Sequence, residues 1–381
     1  MRTLLILVLT ATALLLTACS SPPRNSVTNG SLLVIGGGLD DDNKPVYERF
    51  IELSRRAAPG GKPHIIIATA ASGDEPGNAQ GKTESIRAYC GDARISTIGR
   101  DTPAAEAVAI IDSASAMFFT GGDQKRITAK YRPDGADTTP EREAMLRLLR
   151  RGGVIAGTSA GDAMMGEVMF FTGRSAEALG IRSTRTQRAA DDDADEKREQ
   201  TPLGPQIGRG MGMLSLAMTD SHFFERHRFG RLVAALEQSG TRLGIGVGED
   251  AAVEVDLATG ELRGVSVADS LLVDVGACVR EGVARRGVRA KVIGQSVRVS
   301  LPARLASAPD RSMKVRPAEL DEIAEVEPGQ NRQLASWRFF CRAEREAGRT
   351  FVLRLDGYQQ FGWKHGDESV VDIEPLAAPK P

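Results

Sequence analysis

One serine of this chain stands in a sequence that exposes its side-chain hydroxyl. In the segment GGVIAGTSAG, a short apolar strand leads straight into the G-x-S-x-G motif Gly157-Thr158-Ser159-Ala160-Gly161. This motif predicts a sharp strand-to-helix turn that presents the serine as a nucleophile. The following residues, AGDAMMGEVMF, are typical of a helix, whose first N–H groups would face developing negative charge. The motif therefore predicts a catalytic serine at position 159.

A serine nucleophile needs a base, and the chain offers four histidines. His222 follows an apolar segment at the predicted carboxyl end of a strand, where it can approach Ser159. His64 opens a buried strand and is expected to be structural, whereas His227 is expected on the surface of a helix. His365 lies in a polar tail. We expect His222 to be the base, with a core or capping histidine as the alternative.

The acid that orients the base is harder to place. The glycine-punctuated strand GIGVGEDAAVEV (244–255) presents Glu249 and Asp250 at its end, where a carboxylate is suited to orient His222. A triad of Ser159, His222 and Glu249 would run serine, histidine, acid along the chain. The α/β-hydrolases have the acid before the histidine, so that fold is disfavoured unless His365 is the base.

The elements around these residues alternate between strand and helix patterns. The apolar runs predict strands at 31–38, 64–72, 93–99 and 117–122, and the spacing predicts helices at 46–57, 104–114 and 142–152. This alternation predicts an α/β fold with a mainly parallel sheet and helices on both faces. The loops at the carboxyl ends of such strands form the site. They contain Gly36–Gly38, Thr69–Gly73 and Gly121-Gly122-Asp123.

The C-terminal part of the chain is predicted to be rich in β-structure. After Ala251 the alternating runs AAVEVD, ELRGVSV, SLLVDVG, KVIG and SVRVSL predict an antiparallel extension of the same sheet. Residues 333–347 predict a helix, and FVLRLDG predicts a strand. We find no residues there that indicate chemistry.

The first residues predict export and lipid attachment. A basic start at Arg2, an apolar run over 4–16 and the sequence LTAC ending at Cys19 are typical of a bacterial lipoprotein signal. The apolar run is short for a membrane span. These features predict a lipidated Cys19 that attaches the chain to the membrane of the bacterial cell envelope. Ser20 favours the outer membrane. A plain signal peptide with an incidental cysteine is the alternative.

The composition of the chain bears on its partners, metal sites and disulfides, and its length bears on its division into domains. The net charge is −1, which predicts no nucleic-acid partner. Cys90, Cys278 and Cys341 lack C-x-x-C or zinc spacing, so no metal site is expected and at most one disulfide is possible. The predicted division is a signal peptide (1–18), a lipidated tether (19–30), an α/β hydrolytic domain (31–300) and a C-terminal extension (301–381). A polar insertion at about 174–210 is predicted as a solvated loop, with a lid over the site as the alternative.

Four motifs, in this order, resemble the cyanophycinases, a family of serine peptidases related to peptidase E. They are FFTGGDQ (118–124), GTSAG (157–161), DSHFFERHRFGR (220–231) and GIGVGED (244–250). The resemblance covers roughly residues 31–300 and implies a fold like the class I glutamine amidotransferases, which is flavodoxin-like. It implies Ser159 as nucleophile, His222 as base and Glu249 as acid. The substrate-binding residues that it implies are Gln124, Asp220, Arg226, Arg228 and Arg231.

The resemblance also implies a substrate. Cyanophycin is a poly-aspartate backbone that carries arginine on each β-carboxylate, and its hydrolysis releases β-Asp-Arg dipeptides. Arginines at the site are suited to bind its carbonyls and terminal carboxylate, and Asp220 is suited to receive its arginine side chains. Backbone N–H groups near Gly121, Gly122 and Ala160 are expected to form the oxyanion hole.

The resemblance does not decide the oligomeric state or the exact substrate of the protein. No metal or organic cofactor is implied, and a homodimer is allowed. The chain departs from the family at Ser221, where the family has glutamine, and at Asp162, where the family has a small residue. Asp162 is expected to place negative charge near the nucleophile. The alternatives are a peptidase E-like dipeptidase acting on Asp-X or related peptides, and a non-catalytic envelope binding lipoprotein.

Overall fold

The computed structural model describes residues 29–134, 136–181, 202–309, 321–325, 332–346, 348–355 and 357–376. The predicted signal peptide, Cys19 and residues 182–201 of the polar insertion lie outside these ranges. Among the described residues, no helix is both long enough and apolar enough to cross a membrane.

Several helices begin at a capping side chain that is followed by proline. Asn43, Asp74 and Thr139 each accept an N–H group of the first turn that they precede. The helices in the described part of the chain are α1 (Lys44–Arg56), α2 (Glu75–Tyr89), α3 (Ala104–Ser113), α4 (Gln124–Tyr131), α5 (Pro140–Arg150), α6 (Ala160–Ala163), α7 (Ser175–Ala178), α8 (Phe229–Ser239), α9 (Leu301–Ala306) and α10 (Arg332–Arg345).

The strands are short and form two large sheets and a small one. They are β1 (Ser31–Ile35), β2 (His64–Ala68), β3 (Arg94–Ile98), β4 (Ala116–Phe119), β5 (Val154–Thr158), β6 (Val168–Thr172), β7 (Gln206–Arg209), β8 (Met218–Asp220), β9 (Leu243–Val247), β10 (Ala252–Asp256), β11 (Glu261–Gly264), β12 (Ser270–Asp274), β13 (Val279–Glu281), β14 (Ala284–Ile293), β15 (Arg298–Ser300), β16 (Glu322–Glu325), β17 (Thr350–Leu355), β18 (Tyr358–His365) and β19 (Glu368–Pro375).

The first sheet has the order β15-β11-β10-β1-β5-β4-β2-β3. Its strands β1 to β5 are parallel, and β10, β11 and β15 continue it antiparallel. Alternate residues of its strands point to opposite faces. Leu33 therefore packs in one apolar cluster with Phe50 of α1, and Leu32 packs in another with Leu148 of α5. The predicted α/β fold, mainly parallel with helices on both faces, is confirmed.

The second sheet has the order β16-β17-β18-β19-β14-β12-β9-β8, and β13 pairs with β14. Its presence corrects one prediction, because β12 and β14 (SLLVD and ARRGVRAKVI) join this sheet instead of extending the first. Alternation shows that a strand has one buried face, but it does not identify the neighbouring strand. The sheet also includes strands from both sides of residue 300, and the predicted domain boundaries stay a prediction.

The chain after the serine motif also differs from expectation. The helix α6 is a single turn, and the apolar residues that follow it form β6. β6 pairs antiparallel with β7, which belongs to the polar insertion. The predicted helix and strand of the C-terminal extension are present as α10 and β17.

Candidate active site

Ser159 occupies the turn between β5 and α6, and its backbone is held in an uncommon conformation. Its φ is 55° and its ψ is −107°, a combination that residues other than glycine rarely adopt. Its N–H donates to the carbonyl of Ile35 at 3.0 Å. A methyl group on Gly161 would lie 2.8 Å from the carbonyl oxygen of Phe119. The glycines of the motif are therefore required by close backbone packing, as expected for a nucleophile elbow.

His222 lies directly after β8, in the turn of residues 221–228 that leads to α8. Its φ is 43°, and its N–H donates to the carbonyl of Gly36 at 2.7 Å. Its Nε2 lies 2.8 Å from the Oγ of Ser159. The imidazole therefore contacts the serine hydroxyl in the geometry that a general base requires.

Glu249 follows β9 and completes a chain of hydrogen bonds. Its Oε1 lies 2.7 Å from the Nδ1 of His222. The neighbouring Asp250 has a different role, because its Oδ1 accepts the N–H of Asp40 at 3.0 Å and the Nδ2 of Asn43 at 2.7 Å. Of the two carboxylates offered by the sequence, Glu249 orients the histidine and Asp250 fixes the loop beside it.

The loop of Gly36–Gly38 has a role that the sequence did not reveal. A methyl group on Gly37 would overlap the imidazole of His222, and one on Gly38 would lie 3.2 Å from the Cβ of Glu249. Gly37 also has a φ of +103°, which favours glycine. The three consecutive glycines at a strand end were the available signal, because such a run indicates close approach to another group.

Burial and charge set the protonation of the base and the acid. Burial lowers the pKa of His222 below its usual value, and the nearby arginines Arg226 and Arg228 act in the same direction. The hydrogen bond from His222 lowers the pKa of Glu249. At neutral pH the imidazole is therefore neutral and the carboxylate is ionised, which are the states that proton transfer from Ser159 requires.

Asp162 lies in the α6 turn, and its side chain is fully buried. Neither of its carboxyl oxygens has a hydrogen-bond partner among the described residues. Thr219 donates to its backbone carbonyl at 2.7 Å. Burial raises the pKa of Asp162 well above the usual range. Burial therefore favours the protonated, neutral form of this carboxyl, which opposes the predicted negative charge beside the nucleophile.

Asp220 and Arg231 are placed differently from the predicted substrate-binding set. Asp220 is 0% exposed, and the Nε of Arg231 donates to its Oδ2 at 2.8 Å. Arg231 is also buried and donates to the carbonyl of Gly173 at 2.7 Å. In this structure the two side chains bind each other, and Asp220 stabilises the turn after β8. The substrate-binding roles of Asp220 and Arg231 stay predictions.

The other predicted substrate residues lie around the turn of residues 221–228. Arg228 donates to the carbonyl of Ser221 at 2.8 Å. Arg226 is half-buried and lies close enough to lower the pKa values of both His222 and Glu249. Gln124 donates from Nε2 to the carbonyl of Phe170 on β6 at 2.8 Å. The substrate-binding roles of Gln124, Arg226 and Arg228 stay predictions.

Two of the three predicted oxyanion-hole residues lie beside the serine with available N–H groups. A methyl group on Gly121 would lie 3.3 Å from the Cβ of Ser159. Within the described ranges, no backbone carbonyl accepts the N–H of Gly121 or Ala160. Gly122 has a φ of +137° and packs against the backbone of Ala71. The arrangement is suited to stabilise an oxyanion formed at Ser159.

The remaining histidines lie away from this centre. His64 is buried and contacts the hydroxyl of Ser96 at 2.9 Å, consistent with a structural role. His365 ends β18 in the second sheet. His227 was expected in a helix, but it lies in the turn before α8 and its ring contacts Ser336.

The described residues include three cysteines, which lie apart from any group of metal-ligating side chains there. The structure holds no group of histidine, cysteine, aspartate or glutamate side chains there that is suited to a metal ion. Cys90, Cys278 and Cys341 are free, and burial raises the pKa of each thiol. A raised pKa disfavours the thiolate, which is the nucleophilic form of cysteine.

Comparison with known proteins identifies relatives over part of the chain. No family model matches. A cyanophycinase of Trichormus variabilis is 33% identical over 143 residues, which are 37% of this chain and 39% of that protein. A cyanophycinase of Geminocystis herdmanii is 34% identical over 141 residues, or 37% and 42%, and one of Synechococcus elongatus is 29% identical over 175 residues, or 46% of each. The match thus spans less than half the length of these relatives.

Solved structures also align with the chain. A peptidase from an acI-B1 actinobacterium aligns over 72% of this chain and 98% of its own, at 16% identity and a TM-score of 0.44. A peptidase E protein from Listeria monocytogenes aligns over 63% and 99%, at 10% identity and a TM-score of 0.40. The resemblance to the cyanophycinases, first seen in the motifs, is confirmed by these relatives over the part of the chain that they match.

Proposed function

We propose that this chain is a serine exopeptidase that hydrolyses cyanophycin to β-Asp-Arg dipeptides. The proposal is carried by the two hydrogen bonds that connect Ser159, His222 and Glu249 at 2.8 Å and 2.7 Å. A binding protein has no need of a nucleophile, a base and an acid in this arrangement. The similarity to cyanophycinases supports cyanophycin as the substrate.

The geometry of the three side chains supports the following reaction. The Oγ of Ser159 attacks an Asp–Asp peptide carbonyl, and its proton passes to the Nε2 of His222. Glu249 stabilises the imidazolium through Nδ1–H, and the N–H groups of Gly121 and Ala160 bind the oxyanion. When the tetrahedral intermediate breaks down, the C–N bond is cleaved and His222 gives its proton to the leaving amine. Water then attacks the acyl-enzyme, with His222 again as base, and frees Ser159.

The charges near the centre are compatible with such a substrate. An aspartate backbone ends in a carboxylate, which the guanidinium of Arg226 is suited to bind. Asp220 is occupied by Arg231, so a carboxylate for the substrate's own arginine must come from another residue. Glu249 is committed to His222. We therefore propose that Arg226 binds the terminal carboxylate of the polymer. The arginine side chains of the polymer would bind groups other than Asp220 and Glu249.

The test compares the soluble chain from residue 20 onwards with its Ser159→Ala variant on insoluble cyanophycin. The wild-type chain should clear the polymer and release β-Asp-Arg, and the variant should do neither. Asp-X dipeptides assayed in parallel separate cyanophycin hydrolysis from peptidase E-like activity. Cleavage of dipeptides without cleavage of the polymer contradicts the proposed substrate but retains the nucleophile. Absence of activity together with absence of covalent labelling at Ser159 favours the binding lipoprotein.

We further propose that the protein is attached to the cell envelope through lipid on Cys19. The support is the LTAC sequence that follows a short apolar run. In a bacterial host, the full chain should incorporate labelled palmitate and fractionate with membranes. The Cys19→Ser variant should do neither, and recovery of the wild-type chain unlabelled in the soluble fraction contradicts the anchor.

A further inference from the structure

The helix α10 of the C-terminal extension packs on the turn that carries His222. Ser336 contacts the Nδ1 of His227, which lies at the end of that turn. The ring of Phe340 lies 6.0 Å from the ring of Phe224 and 4.9 Å from that of Phe229. Ser336 and Phe340 are 3% and 2% exposed. One face of α10 is therefore buried against the residues that immediately follow the base.

The same helix also contacts the segment near the acid. The Nε1 of Trp337 donates to the Oδ2 of Asp269 at 2.6 Å. A methyl group on Gly248 would lie 3.0 Å from the carbonyl oxygen of Asp269 and 2.9 Å from the ring of Phe224. Gly248 directly precedes Glu249, so it is enclosed by two residues that α10 holds.

The turn of His222 is also held by the short helix α7. Ser175 of α7 donates to the carbonyl of His227 at 2.6 Å and accepts the N–H of Arg231 at 3.0 Å. His227 is therefore held through its backbone by α7 and through its ring by α10. Such contacts from two elements define the position of a turn whose φ values are unfavourable at both His222 and His227.

Accurate placement matters because Ser159 belongs to the other sheet. Its position is set by β5, whereas His222 and Glu249 follow β8 and β9 of the second sheet. A displacement of about 1 Å between reacting groups lowers a rate by about 100-fold. Contacts that hold the loops after β8 and β9 in place therefore affect the rate, because they set the distance from His222 to Ser159.

We propose that α10, through Ser336, Trp337 and Phe340, positions His222 and Glu249 for reaction with Ser159. The C-terminal extension is then part of the hydrolytic machinery, and these three side chains are positioning residues that touch no substrate. The catalytic consequence of this inference rests on the proposed function. The geometric consequence, the placement of His222 against Glu249, does not.

The test uses matched variants of the full chain. Ser336→Ala and Phe340→Leu remove contacts to the His222 turn. Phe361→Leu is the control for Phe340→Leu, because Phe361 is also 2% exposed but belongs to a separate apolar cluster with Val352, Trp363 and Val370. Arg338→Ala, at an exposed position of α10, is the control for Ser336→Ala. Thermal unfolding of all four variants measures how much stability each one loses.

The first readout is the rate at which diisopropyl fluorophosphate modifies Ser159, which requires the base but no known substrate. We expect Phe340→Leu and Ser336→Ala to slow modification by about tenfold or more, and their controls to stay within about twofold. Ser336→Thr, which keeps a hydroxyl, should restore the rate. Equal rates for Phe340→Leu and Phe361→Leu at equal stability overturn the proposal.

The second readout is the titration of His222 by nitrogen-15 NMR, which the small number of four histidines makes practical. We expect the titration of His222 to shift in Phe340→Leu and to stay unchanged in Phe361→Leu. If the wild-type chain is not modified at Ser159, the proposed function fails, and the NMR comparison still decides the positioning. If the titration of His222 is unchanged in both Ser336→Ala and Phe340→Leu, that result alone overturns the inference.

Discussion

The two large sheets contribute to the site in different ways. The first supplies Ser159 through five consecutive residues at the end of β5. The second supplies His222 and Glu249 at the ends of β8 and β9, and their surroundings come from residues far away in the sequence, such as Phe340. The nucleophile is thus specified by a local motif, whereas the base and acid are specified by tertiary packing.

The glycines of the two regions show the same difference. In the first sheet, Gly157 packs against the backbone of Gly161, so the pair allows a sharp turn. In β9, Gly244 leaves room for Leu232 of α8, and Gly246 leaves room for the ring of Phe223. The glycines of β9 therefore let bulky residues pack onto the strand that leads to Glu249.

The largest effect is expected when the acid that the second sheet supplies, Glu249, is changed. Glu249→Gln keeps the shape of the side chain but removes the charge that stabilises the imidazolium, and we expect kcat to fall by about 10²–10⁴-fold. Asp250→Asn is the matched control, since an amide oxygen still accepts from Asp40 and Asn43, and it should stay within about tenfold of wild type. Hydrolysis of cyanophycin, or labelling of Ser159, measures both. Similar losses in the two variants contradict the assignment of Glu249.

A second test acts where the two sheets meet. Gly37→Ala places a methyl group against the imidazole of His222, and we expect kcat to fall by about 10- to 100-fold. Gly60→Ala is the control, because Gly60 also has a positive φ but no atom within 4 Å of the added carbon. The same assay and a melting curve separate displacement of His222 from backbone strain. An active Gly37→Ala variant would show that the imidazole can move without loss.

A third test concerns the first sheet and measures how the buried carboxyl of Asp162, in the turn after β5, affects the stability of the protein. The folded-state pKa of Asp162 is raised, so the native state binds its proton more tightly and loses stability as pH rises above about 3.9, the pKa of an unfolded aspartate. Asp162→Asn removes this penalty. We expect its melting temperature at pH 7 to exceed that of wild type by about 2–4 °C for each kcal/mol recovered. The difference should vanish below about pH 3.9, and an equal gain at all pH values contradicts a raised pKa of Asp162.

The smallest expected effect concerns the charges around the base. Burial and the arginines lower the pKa of His222, so activity should persist to a pH below the usual histidine value of about 6.5. Arg226→Gln removes one positive charge and should raise the acidic limb of kcat/KM by less than about one pH unit. The exposed Arg280→Gln should leave it unchanged. A limb that does not move in Arg226→Gln contradicts a contribution of Arg226 to the pKa of His222.

The sequence predicts the first sheet well because its signals are local. Apolar runs that end in glycine or other small residues predicted β1, β2, β4 and β5, and the serine motif predicted the elbow. The sheet to which β12 and β14 belong was not predictable, because pairing depends on distant partners. The same limit applies to Asp220, whose partner Arg231 is eleven residues further along the chain. Nothing in the local sequence shows that the two bind each other inside the protein.

The position of β19 in the second sheet has a consequence for when the centre becomes active. This strand pairs with β14 on one side and β18 on the other, and it is synthesised after every strand of the first sheet. Domains fold as the chain emerges from its N-terminus. The serine elbow therefore has all its residues long before α10 and β19 exist. We expect a chain that stops before α10 to carry an exposed serine whose base is not yet fixed, so that the proposed hydrolysis begins only after α10 and β19 have been added.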